Sequence, residues 1–251
     1  MGIFDRFRQH KDDHGTDSGT SSPADAAVAG ELLPAHEPSS RPEQLEELEE
    51  SAREMVAPAF ESCARIEESL VGLFVLDDDY DLTEDDVHQV LQRVWQGRLD
   101  EEVTWADEGD YGRLKAAFEA LEGNGIVARM NFTCCSNCGL AEMEDERVHG
   151  SRGYVFFHEQ DAERLTPGGS DLFLNFGGFD LGARVDASFV ERAEAGEQEA
   201  TEAAVVASQE RIGAKVAAAL RREGLTVEWD GTGVHRIQVT GLDWRKRLPA
   251  G

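Results

Sequence analysis

Residues 122–146 read "EGNGIVARMNFTCCSNCGLAEMEDE", and the fold class turns on them. Before Gly125 the apolar residues recur every three to four positions, the period of a helix with one buried face. After it comes "IVARMNFT" (126–133), whose composition suits a half-buried strand. Helices on one side of this point and strands on the other predict an α+β protein. The same stretch gathers three of the four cysteines, Cys134, Cys135 and Cys138, within five positions.

Toward the N-terminus the pattern is helical. "DYGRLKAAFEAL" (110–121) aligns Leu114, Ala117, Phe118 and Leu121, and "EGNG" ends it. "EQLEELEESAREMV" (43–56) and "AFESCARIEESLVGLF" (59–74) are two amphipathic segments that Pro58 should divide. Cys63 lies on the apolar stripe of the second, as a packed thiol would. In "DDDYDLTEDDVH" (77–88), Asp77, Asp79 and Asp81 match the first ligands of a calcium loop. The glycine that such a loop needs at its sixth position is Leu82, and the bidentate glutamate at its twelfth is His88. The better reading is a turn, then Thr83 as N-cap with Asp86, then a helix over 84–96 closed by Gly97.

Toward the C-terminus the strands follow. "GYVFFHEQ" (153–160) is apolar on both faces for most of its length and therefore central, and "DLFLNFGG" (171–178) is next. Residues 181–200 are polar, a loop or weak helix. The helix over 202–223 is capped by Gly224, and "LTVEWDGTGVHRIQVT" (225–240) carries a hairpin signal at "DGTG". The expectation is a five-stranded, mainly antiparallel sheet packed by that long helix. An acidic helical region (43–124) precedes this sheet domain (125–248). Residues 1–42, rich in Ser, Gly, Pro and Asp, read as a disordered tail, because they cannot bury enough apolar surface to offset their ordering entropy.

Charge narrows the function classes. The formal net charge of −27 repels nucleic acid and anionic membrane surfaces. From Glu43 to Asp110 there are 22 acids and 4 bases, whereas from Arg211 to Arg247 there are 8 bases and 4 acids, so these regions are expected to face each other, ahead of the alternative that the basic end holds an anion. No apolar run reaches the roughly 18–20 residues of a membrane span. Few cysteines, clustered and without an export signal, imply a reducing cytoplasm. No P-loop, dinucleotide fingerprint or nucleophile elbow occurs.

Three readings of the cysteines stand side by side. Cys135-Ser-Asn-Cys138 is half of a zinc site, because two intervening residues let a tight turn aim both sulfurs at one ion. Cys134 supplies a third thiol, with His158 and His149 as the nearest nitrogen donors. Alternatively, a strand, a C-x-x-C turn and a short helix form a dithiol, in which a helix start favours the thiolate and the acids Glu142, Glu144, Asp145 and Glu146 oppose it. Thirdly, cysteine is small and suits a crowded turn. His158, beside Glu159 and Asp161, reads as a general base or ligand, or as a histidine hydrogen-bonded at the sheet edge with Asp161 capping the next turn. Trp229 and Trp244 offer a stacking surface or close a small core.

"GNGIVARMNFTCCSNCG", "GYVFFHEQDAE", "LFLNFGG", "GLTVEWDG" and "RIQVTGLDWRKR" resemble a family of bacterial proteins defined only as a domain of unknown function, over residues 70–248. The resemblance implies a cytoplasmic domain and carries no activity. The functional expectation is a non-enzymatic interaction or regulatory module with a protein partner and a structural zinc at Cys134, Cys135, Cys138 and His158 or His149. The alternative is a thiol oxidoreductase or metal-dependent hydrolase using the same residues.

Overall fold

The computed structural model describes residues 40–179, 191–192, 195 and 198–250. Most of the proposed tail, and most of the 181–200 segment, lie outside the described residues.

Four helices come first: α1 (Arg41–Val56), α2 (Cys63–Phe74), α3 (Glu84–Val103) and α4 (Gly109–Gly123). Then follow β1 (Ile126–Arg129), α5 (Ser136–Glu142), β2 (Gly153–Phe156), α6 (Glu159–Ala162), β3 (Ser170–Gly178), α7 (Gln198–Arg222), β4 (Thr226–Glu228) and β5 (Ile237–Leu242). The protein is α+β, with one five-stranded sheet in the order β1-β2-β3-β5-β4.

Local chemistry accounts for the helix starts and stops. Pro58 separates α1 from α2, and Ser62 caps α2 by accepting from the Arg65 N–H. Thr83 and Asp86 form a reciprocal capping box at the start of α3. Gly97 does not end α3, which continues to Val103. The reason is tertiary: the next turn buries Arg98 and Glu102. Arg98 Nη2 donates to the carbonyls of Ala57 (3.3 Å) and Lys246 (3.1 Å), and its guanidinium lies 4.5 Å from the Trp105 ring centroid. Those contacts outweigh the roughly 1 kcal/mol preference of glycine for leaving a helix.

The helices α1–α3 bury Leu48, Ala52, Ile66, Leu70, Phe74, Val87 and Leu91 against one another. Cys63 packs at the edge of this core, where Gln92 donates to its sulfur at 3.6 Å and burial pushes its thiol pKa up. Helix α4 belongs elsewhere. Its Leu114, Ala117, Phe118 and Leu121 join a second core with Val155, Leu172, Leu174, Val216, Leu220 and Val239, between the sheet and α7.

The sheet is mixed. Pairs β2–β3, β3–β5 and β4–β5 are antiparallel, so the sheet is mainly antiparallel. Strand β1, however, runs parallel to β2, with Ile126 opposite Gly153 and Arg129 opposite Phe156. A parallel neighbour requires a crossover, and residues 130–152, including α5, supply it. Strand β2 lies between β1 and β3, as its two apolar faces imply. Strands β4 and β5 do pair, with Glu228 opposite Gln238, but eight residues connect them rather than a tight two-residue turn. Within that connection Asp230 accepts from the Thr232 N–H (2.9 Å) and from His235 Nδ1 (2.6 Å), folding the loop on itself.

Residues 243–248 tie the sheet to the helices. Trp244 is fully buried, tilted against Phe60 and edge-on to Tyr111, and its Nε1 donates to the Pro58 carbonyl at 3.1 Å. Lys246 Nζ donates to the Ala59 carbonyl (2.7 Å), Arg247 Nη1 to the Glu102 carbonyl (3.0 Å) and the Leu248 N–H to Glu102 Oε1 (2.7 Å). Arg245 lies 3.9 Å from Asp107. The basic end of the chain thus meets the acidic helical region, largely through carbonyls at helix ends. Trp229 packs edge-on against Phe176, with ring centroids 5.6 Å apart.

Candidate metal centre

Parallel strands end at the same edge of a sheet, and this places the chemistry. The cysteine turn follows β1 and the "HEQD" turn follows β2, so both emerge side by side. The Glu159 N–H donates to the Thr133 carbonyl at 3.0 Å, and the Phe132 N–H to the Phe157 carbonyl at 2.9 Å. Between them the backbone turns sharply: Asn131 and Thr133 have φ of 50° and 59°. This left-handed geometry is uncommon in any residue but glycine and most costly in a β-branched one. Cys134 therefore leaves the strand alternation, and neighbouring cysteines are no longer forced to opposite faces.

Helix α5 starts immediately afterwards, with Cys135 as its N-cap and Cys138 in its first turn. Ser136 Oγ sits 3.3 Å from Asn175 Nδ2 on β3, which pins that turn to the sheet. Gly139 completes the arrangement. A Cβ there would lie 2.7 Å from Cζ and 3.2 Å from Cδ2 of the buried Phe156, and closer still to Cε2. Only glycine lets α5 approach β2 this closely, and the approach sets where the sulfurs sit.

The result is a group of three thiols whose sulfurs all lie within 4.8 Å of one another. Cys134 Sγ and Cys138 Sγ are 3.5 Å apart. Cys134 is exposed, and the other two are half-buried. Two thiolates bonded to one tetrahedral ion at about 2.3 Å stand about 3.8 Å apart, so the spacing suits a metal ion with little movement. The environment separates the thiols chemically. The Cys138 N–H, together with the thiols of Cys138 and Cys134, lowers the pKa of Cys135. Shared protons with Cys134 and Cys135 push Cys138 up to about 11.

The two histidines lie outside this three-sulfur group. His149 is exposed in the turn before β2. His158 is buried at the N-cap of α6 in a reciprocal box with Asp161. Its Nδ1 accepts from the Asp161 N–H (3.3 Å), and its Nε2 lies 2.9 Å from Asp161 Oδ2. Arg236, which also donates to the Phe173 carbonyl (2.6 Å), pairs with the same carboxylate. Burial works against ionisation of Asp161, but the hydrogen bonds from His158 and Arg236 prevail and hold its pKa below the usual range. His158 is thus the sheet-edge histidine of the sequence reading, engaged by Asp161 at both ring nitrogens. Arg236 was missed there. The only signal for it was a basic residue at the start of a strand in an acidic chain.

A family model described as Domain of unknown function (DUF6891) matches residues 41–248. The chain belongs to the DUF6891 family. No curated protein and no solved structure matches it. The DUF6891 match begins at the first residue of α1 and ends at Leu248, which packs on the α1–α3 core. It therefore spans both cores and the segment that joins them, and extends the sequence resemblance to include α1 and most of α2. Among the described residues, no helix of this DUF6891 protein is long and apolar enough to cross a membrane.

Proposed function

We propose that this DUF6891 domain is a non-enzymatic regulatory module that binds zinc through Cys134, Cys135 and Cys138 and works with a protein partner in the cytoplasm. The observation that carries the reading is the convergence of three sulfurs within 4.8 Å on a strained turn. Thiolate donors select zinc and other soft or borderline ions over magnesium and calcium. None of the three cysteines belongs to the two large hydrophobic cores, so the ion would order the α5 turn rather than hold the fold together. Three protein donors leave a fourth position for water, for a histidine brought closer, or for a partner's side chain. His158 and His149 are the histidines nearest in sequence. Negative surface charge favours a basic partner over nucleic acid or an anionic membrane.

The test is metal titration of the reduced, full-length protein. One zinc per chain, with proton release and a cobalt–thiolate charge-transfer band on substitution by cobalt, supports the reading. Loss of binding in Cys135→Ser and Cys138→Ser, with unchanged far-UV circular dichroism, assigns the donors. A reduced protein that takes up no zinc refutes it. His158→Asn and His149→Asn, tested separately, decide whether either imidazole is the fourth ligand.

A further inference from the structure

The 3.5 Å approach of Cys134 Sγ to Cys138 Sγ has a second chemical meaning. We propose that Cys134 and Cys138 form a reversible regulatory disulfide when a hydroperoxide oxidises them, dismantling the three-thiol donor set. The inference deepens the zinc reading, because the same sulfurs would serve as ligands when reduced.

Two observations carry it, and a third cysteine supplies a control. A disulfide needs its sulfurs at about 2.04 Å, so this pair must close by roughly 1.5 Å, which side-chain rotation at an exposed residue can supply. Cys134 is exposed, so a peroxide reaches it without opening the core. Cys63, by contrast, sits at the edge of the α1–α3 core with an amide as its sulfur's neighbour, and serves as an internal control.

The chemistry balances in two steps. The Cys134 thiolate attacks the terminal oxygen of the hydroperoxide. The O–O bond breaks, the alcohol (or water, from hydrogen peroxide) departs with a proton, and Cys134 becomes a sulfenic acid. Cys138 sulfur then attacks Cys134 sulfur. The S–O bond breaks, and the hydroxide takes the Cys138 proton and leaves as water. Two thiols and one hydroperoxide give one disulfide, one alcohol and one water. A thiol reductant reverses the change by exchange. Oxidation removes two of three donors, so a bound ion would lose its site.

The experiment uses the full chain, reduced, metal-free and treated with one equivalent of hydrogen peroxide. Remaining thiols are alkylated, and the peptide spanning 130–147 is sequenced by tandem mass spectrometry. The expected product is one disulfide per chain joining Cys134 to Cys138, with Cys135 and Cys63 alkylated. Cys135→Ser should still form the Cys134–Cys138 link. Cys138→Ser should instead trap a sulfenic acid at Cys134, and Cys134→Ser should lose the link. A Cys135–Cys138 link, a link between chains, or oxidation of Cys63 at an equal rate overturns the inference. A zinc-loaded sample, followed with a colour-forming chelator, should release one zinc per disulfide. Failure of reduced protein to load zinc sinks the metal reading alone, because the disulfide is scored on metal-free protein.

Discussion

Gly139→Ala should destabilise the protein and loosen the thiol group in one stroke. The added methyl would fall 2.7 Å from Phe156 Cζ and 3.2 Å from Cδ2, where unstrained carbons keep at least about 3.5 Å. Phe156 cannot yield cheaply. It is fully buried and edge-packed against Phe132 at a centroid distance of 5.8 Å, in a small cluster with Val127 and Met143. Overpacking of this kind costs about 1–3 kcal/mol, while replacing a helical glycine by alanine returns up to about 1 kcal/mol. The net expectation is a loss of about 1–2 kcal/mol in urea unfolding. Helix α5 would be pushed off β2, spreading the sulfurs and weakening zinc affinity at least several-fold. Gly97→Ala is the matched control. It also lies in a helix, but an added Cβ there meets nothing within 4 Å, so it should stabilise by up to about 1 kcal/mol. Phe156→Leu, which vacates the space, should show a coupling of about 1 kcal/mol or more with Gly139→Ala in a double-mutant cycle. If Gly139→Ala matches Gly97→Ala in sign, and zinc affinity does not change, the close approach of α5 to β2 is not what places the thiols.

Asp161 sets an acid limit. Its folded pKa is depressed, so the unfolded chain holds a proton that the folded chain lacks between the folded value and the ordinary value of about 3.9. Its stabilisation is complete above that ordinary value and is lost as pH falls through the folded one. Wild-type stability in urea should therefore decline there more steeply than that of Asp161→Asn, which should itself lose about 2–3 kcal/mol at neutral pH by leaving Arg236 and His158 without their carboxylate. In the metal-free protein, ultraviolet titration of thiolate should show one thiol ionising near 11, assigned to Cys138 by its loss in Cys138→Ser. Trp244→Phe should cost about 1 kcal/mol for the hydrogen bond to the Pro58 carbonyl, plus a packing loss. Trp244→Ala should cost about 3–5 kcal/mol, both read by thermal or urea unfolding.

Periodicity, caps and composition made much of this fold legible. The division at Pro58, the Thr83–Asp86 box, the central β2 and the α7 cover follow from local rules that the tertiary structure obeys. The failures share a cause in distant contacts. Gly97 signals a stop, but Arg98 is bound by carbonyls from residues 57 and 246, and the helix continues. Helix α4 reads like its acidic neighbours, yet its apolar face is claimed by the sheet. Strand direction has no local signature, so the parallel β1–β2 pair was invisible. At the site, the thiol gathering was readable from the spacing of Cys135 and Cys138. The left-handed turn at Thr133 was not, since a threonine there contradicts its own backbone preference.

The fastening of the helical layer by residues 243–248 also bears on biosynthesis. A ribosome releases α1–α3 before Trp244 and Leu248, so the helical layer waits with its seam open until residues 243–248 emerge. A nascent chain stalled anywhere before position 244 would expose the Phe60 and Tyr111 rings and the carbonyls beside them. Arrested or frame-shifted products that lack residues 243–248 should therefore be conspicuous to chaperones and proteases, whereas a chain that includes them covers the same surface.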